Sequence, residues 1–305
     1  MYVGIMRLKY CITYRRICPA VNLTQIRASA VDLAYRIHGP SPVPQSVPIF
    51  VLHGFLGSKR NWESMCKKIA ASTNISVVAV DARNHGDSPH HASHTYLDLA
   101  LDLSKLITTF SVDRGVIIGH SMGGRTGMTL ALTEPSKVAS LIVIDISPVS
   151  TSGSLTDFFP KLMNTMKSVD FTGMDSLNKA KTAVKNKLIE SGITNDIDGM
   201  HFVLMNIGKL SNNSFGWTCN LEALQKNFDY VASFPTFGDK QYSGPTLFLG
   251  GKLSYYLPKE DITGIRNLFP TANVSYIEGA GHNVHAEQPN AFFDAVLKFL
   301  SSKRI

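Results

Sequence analysis

The chain has 305 residues, of which 44% are hydrophobic and 17% charged, a balance typical of a globular enzyme and not of a disordered or fibrous protein. No run of about 18 apolar residues occurs, which excludes a conventional membrane-spanning helix. The formal net charge is +7, but residues 1–30 contain no acidic residue and five basic ones, namely Arg7, Lys9, Arg15, Arg16 and Arg27. The rest of the chain is therefore close to neutral and has no basic stripe, which argues against nucleic acid as a partner.

The N-terminal segment 1–29 mixes arginine with apolar residues and lacks the apolar core of about 7–15 residues that a secretory signal needs. This pattern predicts a mitochondrial transit peptide, and with it a location in the mitochondrial matrix. A disordered basic tail without a targeting role is the alternative. The four cysteines fit a reducing compartment, since two of them, Cys11 and Cys18, lie in this leader and no paired spacing remains.

From Ala30 onward, apolar runs alternate with amphipathic stretches, which indicates an α/β protein with a mostly parallel sheet between flanking helices. An edge strand is expected at 31–37 and a final helix at 289–301. Core strands are expected at 49–53, 76–81, 115–119, 141–145, 246–250 and 274–278. Residues 149–243 have helical spacing and no strand-like run, so they predict a helical cap inserted between two parts of the core, 30–148 and 244–305.

The residues at 119–123 read GHSMG, between an apolar strand and a helical run. This is the G-x-S-x-G nucleophile elbow, with Ser121 as the predicted nucleophile. Glycine is needed two residues to either side because the turn is sharp and a side chain would block it. The N-terminus of the following helix presents N–H groups to developing negative charge. The alternative is a glycine-rich helix start that merely packs tightly, but the strand–turn–helix context favours the catalytic interpretation.

A serine hydroxyl needs a base, which in this type of site is a histidine late in the chain. The loop at 279–287 offers two, and we predict His282 as the base and His285 as structural. The backbone N–H groups of Phe55 and Met122 are the predicted donors of the oxyanion hole, because Phe55 follows the first core strand and Met122 follows the nucleophile. His53 is expected to maintain the shape of the loop that carries Phe55.

The acid of the triad departs from the usual position. The turn after the penultimate strand would place it at residue 254, but this residue is Ser254, which cannot replace a carboxylate. We predict Asp145 as the acid, since it ends the strand next to the elbow, with Ser254 as an accessory in the same hydrogen-bond network. Glu222 and Asp261 are the fallback candidates, and both are expected to face solvent. A carboxylate that caps the next turn is the other interpretation of Asp145.

Several segments together resemble the α/β-hydrolase domain-containing protein 11 group, which includes a bacterial esterase and yeast alcohol acyltransferases. They are DARNHGDSPH (81–90), GHSMGGRTGM (119–128), VIDISPV (143–149), SGPTLFLGG (243–251) and AGHNVHAEQP (280–289). The resemblance implies an α/β-hydrolase fold, a triad of Ser121, Asp145 and His282 with Ser254 as an accessory, hydrolysis of esters or acylglycerols, and mitochondrial residence. It implies no cofactor.

Two groups of polar residues follow the second core strand. The first is expected to fix its own turn, although it could line the pocket, and consists of Arg83, Asn84 and His85. The second superficially suggests a metal site and consists of His90, His91 and His94. Its spacing matches no zinc pattern and no cysteine lies nearby, so we expect a solvated polar loop and no metal.

These features predict a carboxylic ester hydrolase that acts on a small-molecule acyl ester or thioester. An acyltransferase would use the same residues with an alcohol in place of water, and a non-catalytic binding protein is a further alternative. Haloalkane or epoxide chemistry needs an aspartate at the elbow, so Ser121 excludes it. Apolar residues of the cap could line an acyl pocket or only pack against each other: Phe158, Phe159, Met163, Met166, Phe202 and Met205. The oligomeric state is not predicted.

Overall fold

The structure is a computed structural model that describes residues 29–150, 153–194 and 201–303. Its strands are β1 (Tyr35–His38), β2 (Ile49–Leu52), β3 (Val77–Val80), β4 (Gly115–His120), β5 (Val138–Ile144), β6 (Ile207–Lys209), β7 (Phe215–Trp217), β8 (Thr246–Gly251) and β9 (Ala272–Ile277). Its helices are α1 (Glu63–Thr73), α2 (Tyr96–Thr109), α3 (Met122–Thr133), α4 (Gly153–Lys167), α5 (Leu177–Glu190), α6 (His201–Leu204), α7 (Leu221–Lys226), α8 (Phe228–Ala232), α9 (Ile262–Leu268), α10 (Val284–Glu287) and α11 (Pro289–Ser302).

Seven of these strands form one sheet in the order β1-β3-β2-β4-β5-β8-β9. Only β1 runs antiparallel, to β3, and the other five pairings are parallel. The predicted mostly parallel α/β sheet is therefore confirmed. The edge strand starts at Tyr35, later than the expected 31–37, because residues before it contact α2 instead, where the Val31 N–H donates to the Asp102 carboxylate at 2.8 Å.

Helices cover both faces of the sheet, which explains why its inner strands are apolar along their whole length. Along β2, Phe50 and Leu52 pack into the cluster that contains α2 and α3. Ile49 and Val51 point to the opposite face, into the cluster that contains α1 and α11. This alternation follows from the two-residue period of a strand. The carboxyl ends of the parallel strands then lie along one edge of the sheet.

Between β5 and β8 the chain forms α4 to α8, which enclose a third apolar cluster over that edge. The cluster includes Phe55, Leu56 and Met122 from the loops after β2 and β4. The expectation that this insert contains no strand is wrong, because β6 and β7 pair as an antiparallel hairpin. Each strand has three residues with a central glycine, Gly208 or Gly216, so neither shows the alternation by which a strand is recognised.

No helix in the described ranges has both the length and the apolar character needed to cross a membrane. The prediction of a transit peptide over residues 1–29 falls almost entirely outside the described residues.

Candidate active site

Ser121 occupies the turn between β4 and α3 with φ at +51°, a left-handed backbone value that is disfavoured for a residue with a side chain. Its N–H donates to the Ile144 carbonyl of β5 at 2.9 Å. A Cβ atom on Gly119 would overlap the backbone of Gly123, and one on Gly123 would overlap the carbonyl groups of Leu52 and His53. The turn therefore closes only because glycine stands at both positions, as predicted from the motif.

Asp145 and His282 lie in contact although they come from distant parts of the chain. His282 Nδ1 lies 2.7 Å from Asp145 Oδ2, and the carboxylate is fully buried. Asp145 also accepts hydrogen bonds from the Gly251 N–H, at 2.9 Å, and from the Ser254 hydroxyl. With its Nδ1–H donated to a carboxylate, His282 carries its lone pair on Nε2, the atom that a general base uses. The side chain of Tyr256 stacks on the imidazole at a centroid distance of 3.9 Å.

His120, which precedes Ser121, connects the elbow to the loop that carries His282. Its Nε2–H donates to the backbone carbonyl of His282 at 2.9 Å. Burial holds the pKa of His120 well below its usual value, and the neighbouring His282 and His285 lower it further. The neutral ring thus keeps its acceptor nitrogen and acts as a fixed link. No role was predicted for it from the sequence, because the elbow motif leaves this position open.

The predicted oxyanion donors flank Ser121. Met122 is the first residue of α3, so its N–H has no partner within the helix. Phe55 lies in a turn that the Gly57 N–H closes onto the Gly54 carbonyl at 2.9 Å. Gly54 packs so closely that a Cβ atom there would contact the His120 ring and the side chain of Ser121. The structure therefore brings the Phe55 turn against the elbow.

His53 has the loop-shaping contacts expected of it. Its Nδ1–H donates to the Gly54 carbonyl at 2.8 Å, and its Nε2 accepts the Ala82 N–H at 3.0 Å. Burial lowers the pKa of His53, so that the neutral tautomer which makes both bonds is favoured. The side chain joins the loop after β2 to the loop after β3.

Ser121 and His282 open into one cavity of about 230 Å³. Three of the six apolar cap residues considered for an acyl pocket line it: Phe158, Phe159 and Phe202. The other three serve different contacts, since Met163 and Met166 are fully buried in the cap cluster and the sulfur of Met205 accepts the Asn61 amide at 3.4 Å. The walls are largely aromatic, which suits an apolar acyl group.

A family model described as the alpha/beta hydrolase fold matches residues 47–177. The "sn-1-specific diacylglycerol lipase ABHD11" of Danio rerio is 36% identical over 291 residues, which cover 95% of this chain and 89% of that protein. The chain belongs to the ABHD11 group of α/β-hydrolases. A solved structure, "Marine microorganism esterase", aligns with a TM-score of 0.80 and 33% identity over 89% of this chain and all of that one. The "Ethanol acetyltransferase 1" of Kluyveromyces marxianus is 28% identical, with 90% of this chain and 81% of that protein covered.

The second histidine of the loop at 279–287 packs against the hydrolase core. The His285 ring stacks on Trp62 with centroids 4.1 Å apart, and burial lowers the pKa of His285 to about 3. His285 does border the cavity. The contact with Asp145, however, belongs to His282.

The two fallback acids have different surroundings in this hydrolase. Glu222 is exposed on α7, as expected. The expectation that Asp261 faces solvent is wrong, because its side chain is buried and accepts hydrogen bonds from the Ser147 hydroxyl and from the Ser150 N–H at 3.1 Å. Its donors lie in the loop after β5, a distant segment that sequence spacing does not bring to it. Asp261 therefore anchors that loop, and Asp145 is the carboxylate beside His282.

The side chains of the polar turn after β3 fix the position of that turn, as predicted from the sequence. Arg83 makes a buried two-pronged ion pair with Asp102 of α2, at 2.6 and 2.7 Å. His90 is exposed, but the expectation of a solvated loop is wrong for His94, which is fully buried against Asn84. Burial lowers the pKa of His94 to about 3. Within the described ranges, no cluster of side chains has the composition of a metal site.

Proposed function

We propose that this chain is a serine hydrolase that cleaves carboxylic esters through an acyl-enzyme on Ser121. The observation that carries the proposal is the 2.7 Å contact between His282 Nδ1 and the buried Asp145, beside the cavity that His282 and the strained elbow serine line. Membership of the ABHD11 group and the likeness to a solved esterase support the same reaction class.

In the proposed mechanism, Ser121 Oγ attacks the ester carbonyl carbon while His282 Nε2 accepts the hydroxyl proton. The resulting oxyanion receives hydrogen bonds from the N–H groups of Phe55 and Met122. The carbon–oxygen bond to the alcohol then breaks, and His282 returns the proton to the departing oxygen. Water repeats the sequence on the acyl-enzyme, which releases the acid and restores Ser121. Asp145 stays ionised and stabilises the imidazolium.

The aromatic walls of the cavity favour an ester with an apolar acyl group, and an acylglycerol is the substrate class that the relatives suggest. A second candidate is transfer of the acyl group to an alcohol, which the similarity to an ethanol acetyltransferase favours. Both reactions share the acyl-enzyme. Adding ethanol or glycerol to the assay and analysing the products separates them, because only a transferase forms new ester at the expense of free acid.

The test of the acyl-enzyme is labelling with a fluorophosphonate, followed by mapping of the modified peptide. We expect one adduct, on Ser121, and its loss in Ser121→Ala and in His282→Ala. A His285→Gln variant is the matched control, since it changes a histidine of the same loop, and it should retain labelling. A folded protein that carries no adduct, or an adduct elsewhere, would refute the proposed nucleophile.

We further propose mitochondrial residence, which the basic, acid-poor segment 1–29 supports. The full chain with a C-terminal fluorescent fusion should co-localise with a matrix marker. Replacing Arg7, Arg15 and Arg16 by Glu should abolish this, because import signals of this type depend on positive charge. Matrix localisation of the triple variant would contradict the proposal.

A further inference from the structure

The residue after the predicted oxyanion donor has an unfavourable backbone. Leu56 follows Phe55 and has φ at +57°, in the left-handed region. It is the third residue of the turn that the Gly57 N–H closes onto the Gly54 carbonyl. A positive φ at this turn position favours Gly or Asn, and leucine has neither the freedom of the first nor the local hydrogen bonding of the second. The turn therefore needs contacts from elsewhere to keep this shape.

One such contact comes from the cap. The side-chain Nδ2 of Asn206 donates to the Leu56 carbonyl at 2.6 Å and to the Phe202 carbonyl at 2.9 Å. Because both partners are carbonyl oxygens, the orientation of the amide group is fixed and both of its N–H bonds are used. Asn206 is buried between α6 and β6. The backbone carbonyl of Asn206 accepts a hydrogen bond from the Thr218 N–H at 2.7 Å, which connects Asn206 to the β6–β7 hairpin.

The opposite side of Leu56 is held by the core. The Leu56 N–H donates to His85 Nε2 at 3.1 Å. His85 Nδ1 in turn lies 3.1 Å from the Arg83 carbonyl, which defines the tautomer with the proton on Nδ1. Both backbone polar groups of Leu56 are thus bound by buried side chains, one from the cap and one from the loop after β3.

We propose that Asn206 is a positioning residue of the catalytic site, which holds the Leu56 carbonyl so that the neighbouring Phe55 N–H stays aimed at the oxyanion. The cap then contributes to the chemical step in addition to covering the cavity. The inference rests on the proposed ester hydrolysis at Ser121. It requires that, without the hydrogen bond from Asn206, the Leu56 backbone leaves its positive φ and moves the Phe55 N–H away from the oxyanion position.

Oxyanion donors act through preorganisation, so a small displacement has a large effect on the rate. Loss of one donor costs about 10²–10³ in kcat, and a misplacement of about 1 Å can cost about 10². The ground-state ester binds mainly through the apolar walls, which Asn206 does not form. Loosening the turn should therefore lower kcat with little change in KM.

The experiment compares Asn206→Asp with Asn220→Asp in the full-length protein, using p-nitrophenyl butyrate. Asn220 is the matched control because it too lies in the cap and contacts the core, where its Nδ2 donates to the Asn84 side chain at 3.2 Å. An aspartate there can still accept the Ala223 N–H at the start of α7. Active sites are counted by fluorophosphonate titration, so that kcat refers to folded enzyme only.

We expect kcat per titrated site to fall about 50- to 100-fold in Asn206→Asp and to stay within about twofold in Asn220→Asp, with KM within about twofold in both. The affinity for a trifluoromethyl ketone, whose adduct occupies the oxyanion site, should fall by the same factor as kcat/KM. Asn206→Leu removes the same donor without adding charge and should behave alike.

Wild-type kcat per titrated site in Asn206→Asp or in Asn206→Leu would overturn the inference. So would equal losses in Asn206→Asp and Asn220→Asp, since these would reflect cap docking in general. Wild-type protein that neither hydrolyses the ester nor reacts with the fluorophosphonate would instead refute the proposed function, and the two failures are therefore distinguishable.

Discussion

Asp145 lies at the end of β5, whereas the turn after β8 carries Ser254. The structure joins the two residues, because the Ser254 hydroxyl and the Gly251 N–H both donate to the Asp145 carboxylate. The turn after β8 thus contributes hydrogen-bond donors to the surroundings of Asp145 instead of a carboxylate of its own. These donors fix the orientation of the carboxylate that stabilises the imidazolium in the proposed mechanism.

Replacing Asp145 with Asn should lower kcat by about 10⁴-fold, because the wrong tautomer of His282 is then stabilised. Glu222→Gln is the matched control and should have wild-type activity, since Glu222 is exposed on α7. Steady-state assays at neutral pH with p-nitrophenyl butyrate measure both. A large loss of kcat in Glu222→Gln together with wild-type kcat in Asp145→Asn would show that the acid is misassigned.

Because Ser254 contacts Asp145, we predict that the carboxylate of the acid can be transferred from residue 145 to residue 254 with part of the activity retained. The double variant Asp145→Asn with Ser254→Asp should have a kcat about 10- to 100-fold higher than that of Asp145→Asn alone. The reason is that the Ser254 hydroxyl contacts the same Asp145 oxygen as His282 Nδ1, so a carboxylate at residue 254 can replace the lost one. Ser254→Asp alone should be less active than wild type, since two adjacent carboxylates disfavour each other's charge. Assays of kcat on the four proteins form a complete cycle, and no recovery in the double variant would contradict the argument.

At the scale of elements, the site depends on two turns that are pressed together. The elbow places Ser121 at a positive φ, and the turn after β2 places Leu56 at another. Gly54 and Gly123 allow close contact between these turns. Strain at such a place persists only where the surroundings hold it, here the buried side chains of His53, His85 and His120.

The variant Gly119→Ala should destabilise the fold by about 3 kcal/mol, because the new Cβ would overlap the backbone of Gly123 and neither atom belongs to a flexible side chain. Gly192→Ala is the control: it has φ at +65° but an open surrounding, so it should cost only the backbone strain of about 1–2 kcal/mol. Urea unfolding measures the difference. Equal destabilisation by the two substitutions would show that the elbow is not tightly packed.

For the whole molecule, buried neutral histidines predict sensitivity to acid. Burial lowers the pKa of His53 and of His85, and that of His94 to about 3. Below the usual histidine pKa of about 6.5 the unfolded chain binds protons that these folded side chains do not, so the free energy of unfolding falls as the pH drops from about 6.5 towards the folded pKa values. Above about 6.5 their contribution is fully present.

Each such histidine should contribute a slope of about 1.4 kcal/mol per pH unit. Between pH 7.5 and 5.0, the free energy of unfolding of His94→Gln should therefore fall by about 2 kcal/mol less than that of the wild type. This difference does not depend on how much the substitution itself destabilises the fold at pH 7.5. The control His201→Gln changes an exposed histidine and should follow the wild-type curve. Urea unfolding at the two pH values measures this, and an unchanged pH dependence in His94→Gln would contradict the assignment.

Local patterns in the sequence determined much of this protein. The apolar runs predicted the strands of the sheet, since a strand buried on both faces must be apolar throughout. The glycine spacing around Ser121 predicted the elbow, and the chain order of the motifs predicted His282 as the partner of an acid at Asp145. The hairpin β6–β7 was missed because strands of three residues with a central glycine carry no periodic signal.

Only the tertiary structure decided which distant groups meet where no motif links them. Asn206 and Leu56 are 150 positions apart, and Asp261 and Ser147 are 114 apart. Such contacts depend on the path of every loop between the partners, which no local pattern encodes. The burial of Asp261 and the hydrogen bond from Asn206 to the Leu56 turn therefore had no signal in the sequence. The elbow could be predicted because its backbone geometry depends on residues within one turn of each other.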